Sequence, residues 1–188
     1  MPTVVELWLP IILAAVFVFV VSSILHMLLP IHRGDYKKLP AESDVLDVLR
    51  SHRLPPGSYM FPCAPSMKEM GSPEMLAKYQ QGPVGFVTLL PAGVPNIGKN
   101  LIQWFVYTVV ISFIVAYLAS LVLPKGAHYM TVFRVTGTAA MLVYALGAVP
   151  ESIWKGVSWT ITAKFIFDGI VYALVTAGTF GWLWPQVA

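Results

Sequence analysis

Four runs of roughly twenty mostly apolar residues, set apart by polar segments, divide this chain at 8–29, 101–123, 131–149 and 165–184. A helix needs ~20 residues to cross ~30 Å of hydrocarbon, and lipid has no water to satisfy an open strand edge. Runs of this length therefore predict transmembrane helices. All six tryptophans (Trp8, Trp104, Trp154, Trp159, Trp182 and Trp184) stand at or near the ends of these runs. That is where indole rings settle at headgroup depth. The expected fold class is an all-α integral membrane protein, a single membrane domain over 1–188. It has four transmembrane helices in a bundle and a roughly 70-residue, partly helical cytoplasmic loop over 31–100. The first run is expected to be a retained span. Glu6 precedes it where a signal would carry basic residues, and Leu28, Leu29 and Pro30 follow where a cleavage site would need small ones.

The loop carries its own pattern. Pro40 is expected in a first helical turn, followed by Glu42 and Asp44, with Val45, Val48 and Leu49 on one face and Arg50 and Arg53 in the last turn. Acids first and bases last suit the helix dipole, and Pro55-Pro56-Gly57 stops the helix. A second short helix is predicted from Ser72 as N-cap and Pro73 at the first position, ending before Gly82-Pro83. The stretch 59–70, rich in Pro and Met, reads as irregular. The short apolar stretch 85–90, fenced by prolines, is expected to lie at a membrane interface or under the loop.

Composition agrees with this class. Hydrophobic residues make up 57% and charged residues 11% of the chain, against about 25% charged in soluble domains. The distribution of charge then orients it. Segment 31–100 holds Arg33, Lys37, Lys38, Arg50, Arg53, Lys68, Lys78 and Lys99, and the connection before the fourth run adds Lys155 and Lys164. The opposite side has Lys125 and Arg134. The basic excess places the long loop in the cytoplasm and both termini outside, as in a bacterial inner membrane protein. The net charge of +3 does not point to nucleic acid, because six acids in the loop offset its bases. With one cysteine, Cys63, no internal disulfide framework is expected.

The fourth run bears two stripes. Gly169, Ala173, Ala177 and Gly181 recur every four residues and form one smooth face, the kind that lets membrane helices approach closely. The partner of that face is either another span of the chain or a second protein. Beside it run Lys164, Asp168, Tyr172 and Thr176. An ionisable residue inside a span is costly and marks a functional site by default. An ion pair of Lys164 with Asp168, one turn apart, is the plainer expectation. By depth alone His26, Glu151, Lys164, Asp168 and Tyr172 fall near one membrane face and form a candidate polar site.

Other chemistry finds less support. A bis-histidine haem needs two imidazoles at matched depth, whereas His26 lies in a span, His128 on the opposite side, and His32 and His52 in the cytoplasmic segment. Met60, Cys63, Met67 and Met70 are weak soft-metal candidates, lacking a Cys-x-x-Cys or a repeated methionine array. No phosphate-binding, dinucleotide or zinc-hydrolase motif occurs. Catalytic residues, a metal and a cofactor are therefore not expected, although a bound lipid or quinone is compatible with the chain. The expected partners are the lipid bilayer and either other membrane-protein subunits or copies of itself. The leading functional expectation is a non-catalytic assembly subunit of a larger membrane complex or homo-oligomer. The alternatives are a small-solute or proton-coupled transporter using Asp168, and a lipid- or quinone-binding membrane protein.

Overall fold

Four helices long and apolar enough to cross a membrane, Val5–Leu28, Ile97–Val122, Tyr129–Lys155 and Trp159–Trp182, dominate a mostly helical chain. The computed structural model describes residues 1–187. The chain divides into two compact units. The first comprises Met1–Asp35, Asn96–Ile153 and the segment from Val157 onward; the second comprises Tyr36–Pro95 and Trp154–Gly156.

In the first unit, α1 (Trp8–Ser23) follows a 3-10 turn and runs into a π turn at Ile24–Leu28. The N–H of Leu29 closes that turn on the Ile24 carbonyl at 3.0 Å, and Pro30, lacking an N–H, prevents any further helix. Helix α4 (Ile97–Val122) begins four residues before the apolar run. The Asn96 side chain caps it, accepting the Lys99 N–H at 2.9 Å. Helix α7 (Trp159–Trp182) likewise starts at Trp159, ahead of the expected 165. The third run is not one straight helix. Helix α5 (Tyr129–Tyr144) passes through a 3-10 turn at Leu146–Ala148 into the short α6 (Val149–Lys155). The cause is Pro150, whose ring would clash with the Leu146 carbonyl in a continuous α-helix. One turn later the same proline sits comfortably near the start of α6.

The long helices close a ring: α1 packs on α4 and α7, and α5 packs on α4 and α7. One end is latched. Lys125 donates to Glu6 at 2.5 Å, Trp184 Nε1 to the Pro124 carbonyl at 2.9 Å, and the Gly126 N–H to the Pro185 carbonyl at 2.8 Å. Trp184 is thus an interior residue, and Trp104 is half-buried with its Nε1 donating to Ser22 Oγ at 2.8 Å. The other four tryptophans are exposed.

Small and hydroxyl residues share the interior of this ring with larger apolar ones such as Val18, Val115, Val132 and Phe180, and many other large apolar side chains face outward. Thr108, Ser112 and Ala116 of α4, Thr136 and Ala140 of α5, and Thr176 and Ala177 of α7 are buried, whereas Val110, Phe113, Ile114 and Leu118 are exposed. The threonine hydroxyls are satisfied locally: Thr108 donates to the Phe105 carbonyl at 2.7 Å, and Thr136 to the Val132 and Thr176 to the Tyr172 carbonyl, each at 2.8 Å, whereas Ser112 Oγ has no partner among the described residues. The small-residue stripe of α7 meets α5 and the turn after it. A Cβ on Gly169 would overlap the Tyr144 carbonyl and the Ala145 backbone. One on Gly181 would come within 2.7 Å of the Tyr129 ring, and one on Gly137 would stand 3.0 Å from Ala177. Of the two partners open to this stripe, the occupant is a helix of the same chain.

The second unit corrects the all-α expectation. Strands β1 (Gly57–Phe61) and β2 (Gly85–Leu89) pair antiparallel with Gly57 opposite Leu89 and Phe61 opposite Gly85. The apolar stretch 85–90 is therefore largely a strand with a partner, and the segment 59–70 begins as one. Two helices accompany the strands. Helix α2 (Glu42–Ser51) starts after Ala41 and leaves Pro40 outside its first turn. Helix α3 (Pro73–Gln81) is capped by Ser72, whose hydroxyl accepts the Met75 N–H at 3.2 Å.

The close approach at Gly169 makes a sharp prediction. Gly169→Val sets a side chain against backbone atoms that cannot rotate away, so a loss of about 1–3 kcal/mol or more is expected. Gly147→Ala, where a Cβ meets nothing within 4 Å, should be nearly neutral. Thermal unfolding of the two purified variants checks this. Equal midpoints would refute the packing described.

Candidate functional site

Pro30 ends the π turn and the chain then folds back through a 3-10 turn, Pro30–His32, whose last carbonyl accepts the Asp35 N–H at 3.2 Å. This reversal carries His32 and Asp35 beside His26 and above the first turns of α7. There the Asp168 side chain is almost wholly buried, with 2% of its surface exposed. A carboxyl group in such surroundings is strongly destabilising unless it is partnered. Its Oδ2 lies 2.8 Å from His32 Nε2 and 3.3 Å from His26 Nε2. The two imidazoles are stacked, with centroids 4.1 Å apart and planes 17° from parallel. The ring of Phe165 covers them at 5.4 Å from His32 and 6.1 Å from His26.

The other nitrogen of His32, Nδ1, meets Asp35 Oδ2 at 2.6 Å, and the second oxygen of Asp35 accepts from Lys164 Nζ at 2.5 Å. The result is a chain from Lys164 through Asp35 and His32 to Asp168. The ion pair expected between Lys164 and Asp168 is thus replaced by one between Lys164 and Asp35. The reason is direction: Lys164 and Asp168 share one helix, and the Asp168 side chain turns inward to the histidines while the lysine reaches the returning loop. Lys164, and after it His32, hydrogen-bond the Asp35 carboxyl and hold it below the usual carboxylate range.

Beside this cluster is a cavity of about 560 Å³ with mostly apolar walls, formed by the adjoining ends of α1, α4, α5 and α7. Trp104, Tyr107, Tyr144 and Phe165 line it together with His26, Asp168 and Tyr172. Tyr144 and Tyr172 meet edge to face at 5.6 Å, as do Trp104 and Tyr172 at 6.1 Å. Three buried polar atoms among these lining residues have no hydrogen-bond partner: the hydroxyls of Tyr144 and Tyr172, and Oδ1 of Asp168.

Of the residues expected to form a polar site, His26, Asp168 and Tyr172 share this cavity, and Lys164 acts from outside it through Asp35. Glu151 is exposed on α6 and is not brought to the cavity wall. Met60, Cys63, Met67 and Met70 belong to the second unit and are exposed or half-exposed. His32 and Asp35 were missed because a residue past the apolar run reads as loop. The signal that would have found them is Pro30 between His26 and His32, which forces the reversal. The argument from depth against a histidine pair does not hold, since His26 and His32 lie together. Their stacked, side-by-side rings nevertheless cannot flank a haem from its two faces.

The lowered Asp35 fixes the sign of a pH effect. A carboxyl that binds its proton less readily in the folded than in the unfolded chain stabilises the fold at neutral pH. That contribution is lost as the pH falls from about 4, the ordinary value, toward the folded one. Wild type should therefore exceed Asp35→Asn in thermal midpoint at pH 7, and the gap should narrow below pH ~4. A gap that stayed constant into the acid range would show that Asp35 is not held this way.

Comparison of the chain with protein-family models, with curated proteins and with solved structures gave no match.

Proposed function

We propose that this is a four-span integral membrane protein that holds a small lipid-soluble molecule with an oxygen-bearing head, of the quinone or hydroxylated-lipid kind. The observation that carries the reading is the coincidence of an apolar cavity with three unpartnered polar atoms in its wall. Its volume of about 560 Å³ falls within the ~300–1,000 Å³ of small-molecule sites, which pair apolar walls with a few placed polar groups. The phenols of Tyr144 and Tyr172 can donate to a carbonyl or hydroxyl oxygen, and Oδ1 of Asp168 can accept from a hydroxyl. Each of these atoms is costly to bury alone, so a ligand that pairs with them gains specificity as well as affinity.

Membrane insertion is supported by the apolar exterior of the long helices. Large apolar groups such as Val110, Phe113, Ile114 and Leu118 cover their outside, and the small and hydroxyl residues among those buried suit helices that associate in lipid by close packing. The exposed Trp8, Trp154, Trp159 and Trp182 lie at helix ends, where interfacial anchors belong. The basic excess of segment 31–100 supports an orientation with the His26–Asp168 end on the cytoplasmic side of a cytoplasmic membrane and both termini opposite. Expectation of an assembly subunit rested on the small-residue stripe of α7 and on the patterned loop. The stripe is covered by α5 and so no longer favours a second protein, whereas the cavity and its unpartnered polar atoms favour the ligand-binding alternative.

The test is to extract purified protein with organic solvent and identify what it carried by mass spectrometry. Wild type is expected to yield one lipid-soluble species near one per chain. Ala148→Phe, which fills the cavity wall, should lose at least 90% of it (about a hundredfold weaker binding) while keeping the helical signal. Recovery of the same unselective lipid mixture from both proteins would contradict the proposal.

A further inference from the structure

We propose that His26 Nε2, His32 Nε2 and Asp168 Oδ2 form a three-ligand site for a first-row divalent metal ion, with zinc as the reference case. This goes beyond the ligand-binding reading and does not depend on it. The three donor atoms lie within 4.8 Å of one another, the only such group of three among the described residues. Oδ2 stands 2.8 and 3.3 Å from the two nitrogens. Donors bound at ~2.0–2.1 Å around a tetrahedral ion stand about 3.3 Å apart, so small shifts bring all three to one centre. Two imidazoles and one carboxylate are a donor set that suits zinc and its first-row neighbours.

The surroundings of His32 carry the inference further. A neutral imidazole has one N–H and one lone pair, yet both nitrogens of His32 face carboxyl oxygens, at 2.6 and 2.8 Å. With the N–H on Nδ1 donating to Asp35, the lone pair of Nε2 points at Asp168 and a positive centre must lie between them. A proton there serves His32 and Asp168 only; a metal ion also engages His26, which approaches the same oxygen. The Asp35–His32 contact is the carboxylate support that metal-binding histidines characteristically receive on the far nitrogen. Lys164 offsets the charge of Asp35, so the Asp168 carboxylate is left to face the ion. Phe165 supplies an apolar cover over the rings. Because His26 and Asp168 also line the cavity, the remaining coordination position opens toward it, the arrangement of a metal site that keeps a place for an exchangeable ligand.

The experiment uses untagged full-length protein, stripped with chelator and then titrated with Zn²⁺ and, separately, with Co²⁺. Stoichiometry is read by elemental analysis, affinity by calorimetry, and geometry by the visible spectrum of the cobalt form. One ion per chain is expected. His26→Gln and His32→Gln should each weaken binding at least tenfold, and Asp35→Asn ten- to hundredfold through His32 alone. Because Asp168→Asn alters the partner of both histidines at once, the two histidine variants carry the test, each with its helical signal checked. Ala148→Phe should leave zinc affinity within twofold, a result that separates this site from the ligand proposed for the cavity. No binding by wild type, or wild-type affinity in His32→Gln, would overturn the proposal. So would ¹⁵N NMR of His32 showing both ring nitrogens protonated in excess zinc.

Discussion

A carboxyl group enclosed among apolar helices has to be compensated, and the arrangement around Asp168 follows from that requirement. The residue sits on α7 with almost none of its surface exposed, and its neighbours on the helix offer no cation that reaches it. Compensation comes from outside α7, from the turn that ends α1. The π turn sets His26 at the level of Asp168, Pro30 reverses the chain, and the reversal returns His32 to the same oxygen. π turns within helices are uncommon and tend to mark functional positions. Here the turn has an identifiable task, which is to deliver two imidazoles to one carboxyl. Lys164 and Asp35 then complete a chain of charges that fixes the orientation of His32.

Packing of the four long helices makes this cluster possible. Small and hydroxyl residues inside the ring allow α5 and α7 to approach until the Gly169 backbone touches that of Tyr144 and Ala145. The same junction is where Pro150 interrupts the third helix. Tyr144 stands on the inward face of α5, four residues after the buried Ala140, and a cavity lies at that end where the helix is interrupted. Tight packing along α7 and a cavity at one end are therefore two outcomes of one design. The stripe brings the helices together, and the proline ends the contact where the polar groups begin. In a membrane setting the cavity is the place where a lipid-soluble molecule would meet hydrogen-bonding groups.

Much of this was legible in the sequence where the information is local. The four long helices follow from run length, the α7 stripes from a four-residue repeat, and α3 from the Ser72-Pro73 pair. The inward face of Asp168, Tyr172 and Thr176 was likewise readable as a polar stripe. What was hidden depends on pairings distant in sequence. Each strand of the second unit is five residues long, too short for alternation to stand out, and the two are separated by residues 62–84, including α3. Lys164 and Asp35 are far apart in the chain, so spacing along α7 pointed to Asp168 as the nearer acid. The break in the third helix was signalled by Pro150, but a hydropathy run does not register a missing N–H.

The claim on which the rest turns is that Asp168 ties the turn at 26–35 to α7 through His32. The most direct measurement is a double-mutant cycle of His32→Gln and Asp168→Asn on unfolding free energy, in one detergent and with chelator present. A direct contact is expected to make the two losses non-additive by about 0.5–3 kcal/mol. Additivity within about 0.3–0.5 kcal/mol, the behaviour of distant sites, would mean that the two residues act separately and that the cluster does not hold this end of the protein together.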